Sequence, residues 1–196
     1  MNENTQEKSL LENSEKTIFS KEDRKKQFRQ IMGEVFGQEE LEMMEGDLEY
    51  IGFFDVPASV NHHGNYEGGL FDHSLCVTNC LLSLSKRLEL KWENKRSPYL
   101  VGMFHDLCKC DNYAKDENGE WKYNKHQMLS GHGDKSVIML QQYIALSEEE
   151  MLCIRWHMGA FDDSEMWKFY SKATREYQNV LYTHTADMMA SQVMGA

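Results

Sequence analysis

His105 and Asp106 stand side by side in an otherwise apolar, helical-looking run, Tyr99-Leu-Val-Gly-Met-Phe-His-Asp-Leu-Cys-Lys109. Burying both side chains is unfavourable unless a partner offsets their desolvation, and a metal ion is such a partner. His73, His132, His157 and Asp187 are further candidate ligands. The steps from His73 through His105-Asp106 to Asp187 are 32, 26, 25 and 30 residues. Steps of this size suit helical hairpins, so the set predicts a metal centre inside a bundle of helices. Taken singly, each histidine is also what an ordinary core position would hold. Asp187 is harder to explain that way. It lies between Ala186 and Met188-Met189-Ala190, and an unpaired carboxylate is rarely buried on an apolar helix. The argument therefore rests on the set. Imidazole and carboxylate ligands suit manganese, iron, cobalt, nickel or zinc, and magnesium less well. The chemistry such a centre offers is hydrolysis.

The elements that must position these residues read as helices. Two prolines in 196 residues, 13 methionines and few β-branched runs favour an all-α fold. Residues 1–17 are polar and charged and are expected to form a flexible leader. Residues 18–50 read as N-terminal helices packing on the bundle. A capping box at Ser20-Lys-Glu-Asp23 opens the first towards Phe36, and the second spans Glu39 to Ile51. Residues 51–196 read as the metal-binding domain. A long loop from Phe54 to Gly69 carries His62, His63 and Tyr66, and its glycines, proline and asparagines mark it as irregular. Helices are then predicted over Leu70–Leu90, from Ser97-Pro98 into the run ending at Lys109, and over Ser130–Ile144, Ser147–Met158 and Ser171–Val193. Asn118-Gly119 predicts a β-turn or short hairpin involving Trp121 and Tyr123.

Composition narrows the partners. A net charge of −11 argues against an extended nucleic-acid duplex, whose binding rests on neutralising phosphates, yet leaves room for a small anion at a metal. Five cysteines form no Cys-x-x-Cys pair, and Cys76, Cys80, Cys108 and Cys153 fall among apolar residues, which reads as core packing in a reducing compartment. No apolar run reaches transmembrane length and the first residues lack the apolar stretch of a signal peptide, so a cytoplasmic protein without membrane contact is expected.

The ordered set His, His-Asp, His, His, Asp resembles the HD superfamily of metal-dependent phosphohydrolases over roughly residues 50 to 193. The local sequences that carry the likeness are Gly68-Gly-Leu-Phe-Asp-His73-Ser-Leu, Phe104-His-Asp-Leu-Cys-Lys109, Ser130-Gly-His132-Gly-Asp-Lys-Ser-Val, Arg155-Trp-His157 and His184-Thr-Ala-Asp187-Met. The resemblance implies a single HD-type helical bundle with a short hairpin insertion. It implies that His73, His105, Asp106 and Asp187 hold one divalent ion, that His132 and His157 recruit a second, and that Asp106 bridges the two. Two ions ~3.5–4 Å apart would activate water to hydroxide and clamp the attacking and leaving oxygens of a phosphoryl transfer.

Other roles follow from the same likeness. Lys109 would stabilise charge developing on phosphate, against the plainer role of a solvated helix-end lysine. Cys108 stands where the family has glycine, a departure expected to narrow the approach to the ions. His62 or His63 would contact substrate or donate a proton to the leaving oxygen, with Tyr66 beside them at the mouth of the site. His184, three residues before Asp187, would orient a ligand rather than be one. Arg155 and Trp156 would meet a substrate base, although a tryptophan at helical spacing is ordinarily core.

The chain is similar to the HD parts of Gram-positive 3′–5′ exoribonucleases and conjugative relaxases in its Gly-Gly-Leu…His and His-Asp segments. The function so implied is a phosphohydrolase or phosphodiesterase acting on a nucleotide or short oligonucleotide. Two other readings use the same residues: a di-iron oxygenase of HD type, and a non-catalytic binding module stabilised by metal.

Overall fold

A computed structural model describes residues 19–61, 64–159 and 164–195. The fold is mostly helical with one two-stranded antiparallel hairpin, as the element pattern predicts. Helix α1 (Lys21–Met32) opens on the expected capping box: the Asp23 amide donates to Ser20 Oγ at 3.1 Å and the Ser20 amide to Asp23 Oδ2 at 3.2 Å. Helix α2 (Gln38–Tyr50) buries Leu41 and Leu48. Helix α3 (Gly69–Leu88) is the long central helix, and α4 (Ser97–Phe104), started by Pro98, packs against it. A single turn, α5 (Lys109–Asn112), leads into strands β1 (Tyr113–Lys115) and β2 (Trp121–Tyr123), which pair Tyr113 with Tyr123 and Lys115 with Trp121. Then follow α6 (Gly133–Leu140), α7 (Glu148–Arg155), a 3-10 turn (Ser164–Met166), α8 (Trp167–Glu176) and α9 (Asn179–Met188). α9 continues as a π-helix over Met189–Met194.

Three predicted helices differ in extent. The run ending at Lys109 stops being α-helical at Phe104: His105 caps α4, and residues 105–108 descend in turns such as the Lys109 amide donating to Asp106 O at 3.0 Å. On one continuous helix, neighbours His105 and Asp106 would point about 100° apart, whereas the turn brings both side chains to one place. The helix expected over 130–144 is confined to Gly133–Leu140, because His132 lies outside helical geometry at its start (φ −123°, ψ −80°). The helix expected over 171–193 is broken at Tyr177, which is extended. There Asn179 anchors the new start by donating from Nδ2 to Lys91 O and to Glu149 Oε1, each at 2.7 Å. The leader, residues 1–17, lies outside the described residues.

Four sets of contacts align the helices that carry the candidate ligands. α3 and α4 approach closely at Gly102, where a Cβ would come within 2.6 Å of Thr78 Cα. Below that crossing, Phe28, Phe53, Phe54, Phe71 and Phe104 form a wholly buried aromatic cluster, with centroids 5.5 Å apart for Phe53–Phe54 and 5.8 Å for Phe53–Phe104. Phe104 immediately precedes His105, so the cluster is the floor under the His-Asp turn. Arg24 adds a two-toothed ion pair to Asp72, Nε–Oδ1 and Nη2–Oδ2 both 2.9 Å, one residue before His73. Buried Glu150 ties the start of α4 to α7 by accepting from Arg96, Ser97 Oγ and the Ser147 amide.

Because Gly102 sits against the backbone of α3, Gly102→Ala must push the helices apart. It is expected to lower unfolding stability by about 1–3 kcal/mol in urea titration. A wild-type midpoint would contradict this packing.

Candidate metal centre

Five segments bring the predicted ligands to one point. His73 projects from the second turn of α3, His105 caps α4, and Asp106 follows in the turn. His132 precedes α6, His157 follows α7, and Asp187 lies near the end of α9. His132 and His157 can be neighbours because Gly133 crosses directly over the end of α7, where a Cβ would meet Arg155 O. All six of these side chains are buried or nearly so, His132 being the most open at 28%.

The two oxygens of Asp106 divide the cluster. Oδ2 faces His105 Nε2 at 3.7 Å and His73 Nε2 at 3.9 Å. Oδ1 faces His132 Nε2 at 2.8 Å and His157 Nε2 at 3.4 Å. On the first side, His73 Nε2 lies 3.2 Å from His105 Nε2 and 3.3 Å from Asp187 Oδ1. Among the described residues, three groups of three side chains bring atoms able to ligate within 4.8 Å of one another: His73, His105 and Asp106; His105, His157 and Asp187; Asp106, Cys108 and His132.

Protonation fits a metal. The Nδ1 atoms of His105 and His157 lie 2.9 Å from Gly102 O and 2.7 Å from Ile154 O. A carbonyl only accepts, so each Nδ1 carries the proton and each Nε2 turns a bare lone pair inward. His157 Nε2 and Asp106 Oδ1 are buried without an aligned hydrogen bond, even though His132 Nε2 lies close to that oxygen. Inward-turned acceptors of this kind are what a cation satisfies, and this set of side chains can hold metal ions. Burial pushes His105 down to about 4, which keeps it unprotonated and able to ligate at neutral pH. Burial would raise the Asp106 carboxyl, but Lys109, His132 and His105 outweigh it and hold Asp106 well below the usual range. Asp187 is held at about 2: burial opposes the shift, and the hydrogen bond with His73 and the neighbouring His105 and His157 carry it.

A cavity of about 730 Å³ opens onto the ligands. Lys109 and His184 line it together with His73, Asp106, His132 and Asp187. Burial works against the charge on Lys109, but Asp106 and Tyr113 keep it protonated, and its Nζ sits 5.6 Å from the Tyr113 ring centroid. His184 Nδ1 lies 2.7 Å from His157 O, beside the turn that carries the ligand. Met158, Met188, Ser191 and Gln192 form another wall of this cavity, and no sequence signal marks them.

The remaining candidates lie elsewhere. Tyr66 is turned towards Asp72 and Arg24, its hydroxyl pushed up to about 12 by burial and by the Asp72 carboxylate. Arg155 pairs with Asp134 and stacks 4.1 Å above Trp156, and both line a separate cavity with Phe169 and Lys172. His62 and His63 lie outside the described residues. All five cysteines are free, but Cys108, expected as core packing, reaches the ligand cluster: its Sγ is 3.3 Å from His132 Nδ1. Its place one residue after His-Asp-Leu was the available signal.

Acid should loosen the metal-free fold. The folded chain keeps His105 neutral down to about pH 4, whereas an unfolded chain protonates it below its ordinary 6.5. Stability is therefore complete above 6.5 and is lost as pH falls towards 4, by up to about 3 kcal/mol. Urea unfolding of chelator-treated protein across this window checks the sign. A midpoint that rises on acidification would contradict it.

No family model matches the chain, and no solved structure matches it. Among the described residues no helix is long and apolar enough to cross a membrane. The dihydroneopterin 2′,3′-cyclic phosphate phosphodiesterase of Methanocaldococcus jannaschii is 36% identical over 72 residues, which cover 35% of this chain and 29% of that protein. The chain is thus similar to less than a third of the length of that phosphodiesterase.

Proposed function

We propose that this chain is a metal-dependent phosphodiesterase of HD type that hydrolyses a small phosphorylated substrate. The observation that carries the reading is the division of Asp106: one oxygen turned to His73 and His105, the other to His132 and His157. By that arrangement His73, His105 and Asp187 would hold one ion and His132 and His157 a second, with Asp106 offering an oxygen to each. The partial likeness to a cyclic phosphate phosphodiesterase supports hydrolysis of a phosphodiester.

When bound, two divalent ions lower the pKa of water and bind phosphoryl oxygens. The chain's own groups do the rest. Lys109, kept protonated on the cavity wall, binds a non-bridging phosphate oxygen and stabilises the charge that grows there. His184 steadies the backbone that carries His157. His62 or His63 protonates the leaving oxygen, as the motif before Gly68-Gly69 suggests.

The substrate proposed is a single phosphodiester on a heterocycle-bearing molecule: a 2′,3′-cyclic phosphate first, then a nucleotide or short oligonucleotide. Among the described residues Lys109 is the only lysine or arginine lining the cavity, which suits one phosphate better than a chain of them. The net charge of −11 disfavours long nucleic acid.

The test is metal-free protein reloaded with manganese, iron, cobalt, nickel, zinc or magnesium and assayed on 2′,3′-cyclic nucleotides, a pterin cyclic phosphate, bis-p-nitrophenyl phosphate and p-nitrophenyl phosphate. Diester cleavage above monoester cleavage is expected with at least one ion. Asp106→Ala should lose both ions and all turnover. Lys109→Ala should keep its metal while kcat falls by about 10²–10³. Silence on every diester with two ions bound would overturn the proposal.

A further inference from the structure

Of the histidines facing Asp106 Oδ1, one is held by backbone and the other by sulfur. His157 is fully buried and its Nδ1 is fixed by Ile154 O at 2.7 Å. His132 is 28% exposed, lies at the non-helical start of α6, and has Cys108 Sγ 3.3 Å from its Nδ1. Cys108 is itself clasped to the same turn of α6, because its backbone amide donates to Ser136 Oγ at 3.1 Å. His132 caps the start of α6 and Ser136 lies one turn on, its amide donating to His132 O at 3.0 Å, so residue 108 touches that end of the helix at two points.

We propose that Cys108 is a positioning residue that fixes the ring and tautomer of His132 and thereby sets the affinity of the second metal position. This rests on the two-ion reading above. Sγ meets Nδ1, whereas Asp106 Oδ1 meets Nε2 at 2.8 Å, at the opposite end of the ring. An ion held at Nε2 beside Asp106 is therefore separated from Sγ by the imidazole, and the sulfur acts through His132. For Nε2 to offer a lone pair, Nδ1 must carry the proton and donate it to Sγ. Sulfur is a weaker acceptor than the carbonyls that serve His157 and, in the first position, His105, so the second position includes a softer contact than the first. Glycine, the residue usual in similar sequences, would have no side chain to make it.

Metal-free wild type, Cys108→Ala and Cys108→Ser are titrated with manganese by calorimetry and separately loaded with cobalt for absorption spectra. Wild type should take two ions. Cys108→Ala should bind the first ion with unchanged affinity and the second about 10-fold or more weakly. Its kcat should fall at limiting metal and recover in excess. Cys108→Ser, whose hydroxyl can accept from Nδ1, should stay closer to wild type and guards against a folding defect in the alanine variant.

Wild-type affinity for both ions in Cys108→Ala overturns the proposal, as does equal weakening of both, which marks a structural role. A thiolate-to-cobalt absorption band in wild type also overturns it, because the sulfur would then be a ligand. Uptake of a single ion by wild type sinks the two-ion reading itself and is seen before any variant is compared.

Discussion

Two carboxylates and four imidazoles converge on one point beside the cavity, with His105 and His157 wholly buried and His132 the most open. Asp106 and Asp187 are held ionised against their burial, while burial holds His105 neutral and the carbonyls at Nδ1 of His105 and His157 turn their other ring nitrogens inward. The cluster is therefore a concentration of electron pairs that only a cation can balance. Lys109 supplies part of the positive field. The rest of the structure can be understood as the scaffold that keeps these pairs from dispersing.

That scaffold works by close approach rather than by long-range reach. The absence of a side chain at Gly102 lets α4 lie on α3, which sets His105 against His73, and Gly102 also lends the carbonyl that orients the His105 ring. The absence of one at Gly133 lets the start of α6 cross the end of α7, which sets His132 against His157. The phenylalanine cluster then carries the load from beneath, with Phe104 fixing the turn at which His105 and Asp106 emerge together. Dense aromatic packing tolerates little displacement, so ligand geometry and core packing are one constraint.

Local signals in the sequence were reliable where a structure is decided locally. Ser20 with Asp23 and Ser147 with Glu150 mark helix starts because each pair closes its own hydrogen bonds, and Asn118-Gly119 marks the hairpin because the turn needs a glycine at φ 79°. The convergence of His73, His105, Asp106, His132, His157 and Asp187 was legible because carboxylates and histidines in that order on apolar segments have few other uses. What was hidden depends on partners distant in the chain. The apolar pattern continues through Leu107, so nothing local announces that α4 stops at Phe104. The break at Tyr177 is held by Asn179 reaching Lys91 and Glu149, which no window around residue 177 contains. Cys108 is buried as its apolar surroundings predict, but its contact with His132 Nδ1 crosses 24 residues and no local pattern marks it. Tyr66, Arg155 and Trp156 lie near ligands in sequence but turn towards other neighbours.

The central claim is that one carboxylate, Asp106, joins two cation positions. Anomalous diffraction from crystals grown with manganese measures it directly. The account predicts two peaks, one among His73, His105 and Asp187 and one beside His132 and His157, each bonded to a different oxygen of Asp106. A single peak, or two peaks of which one lies out of reach of Asp106, would contradict it.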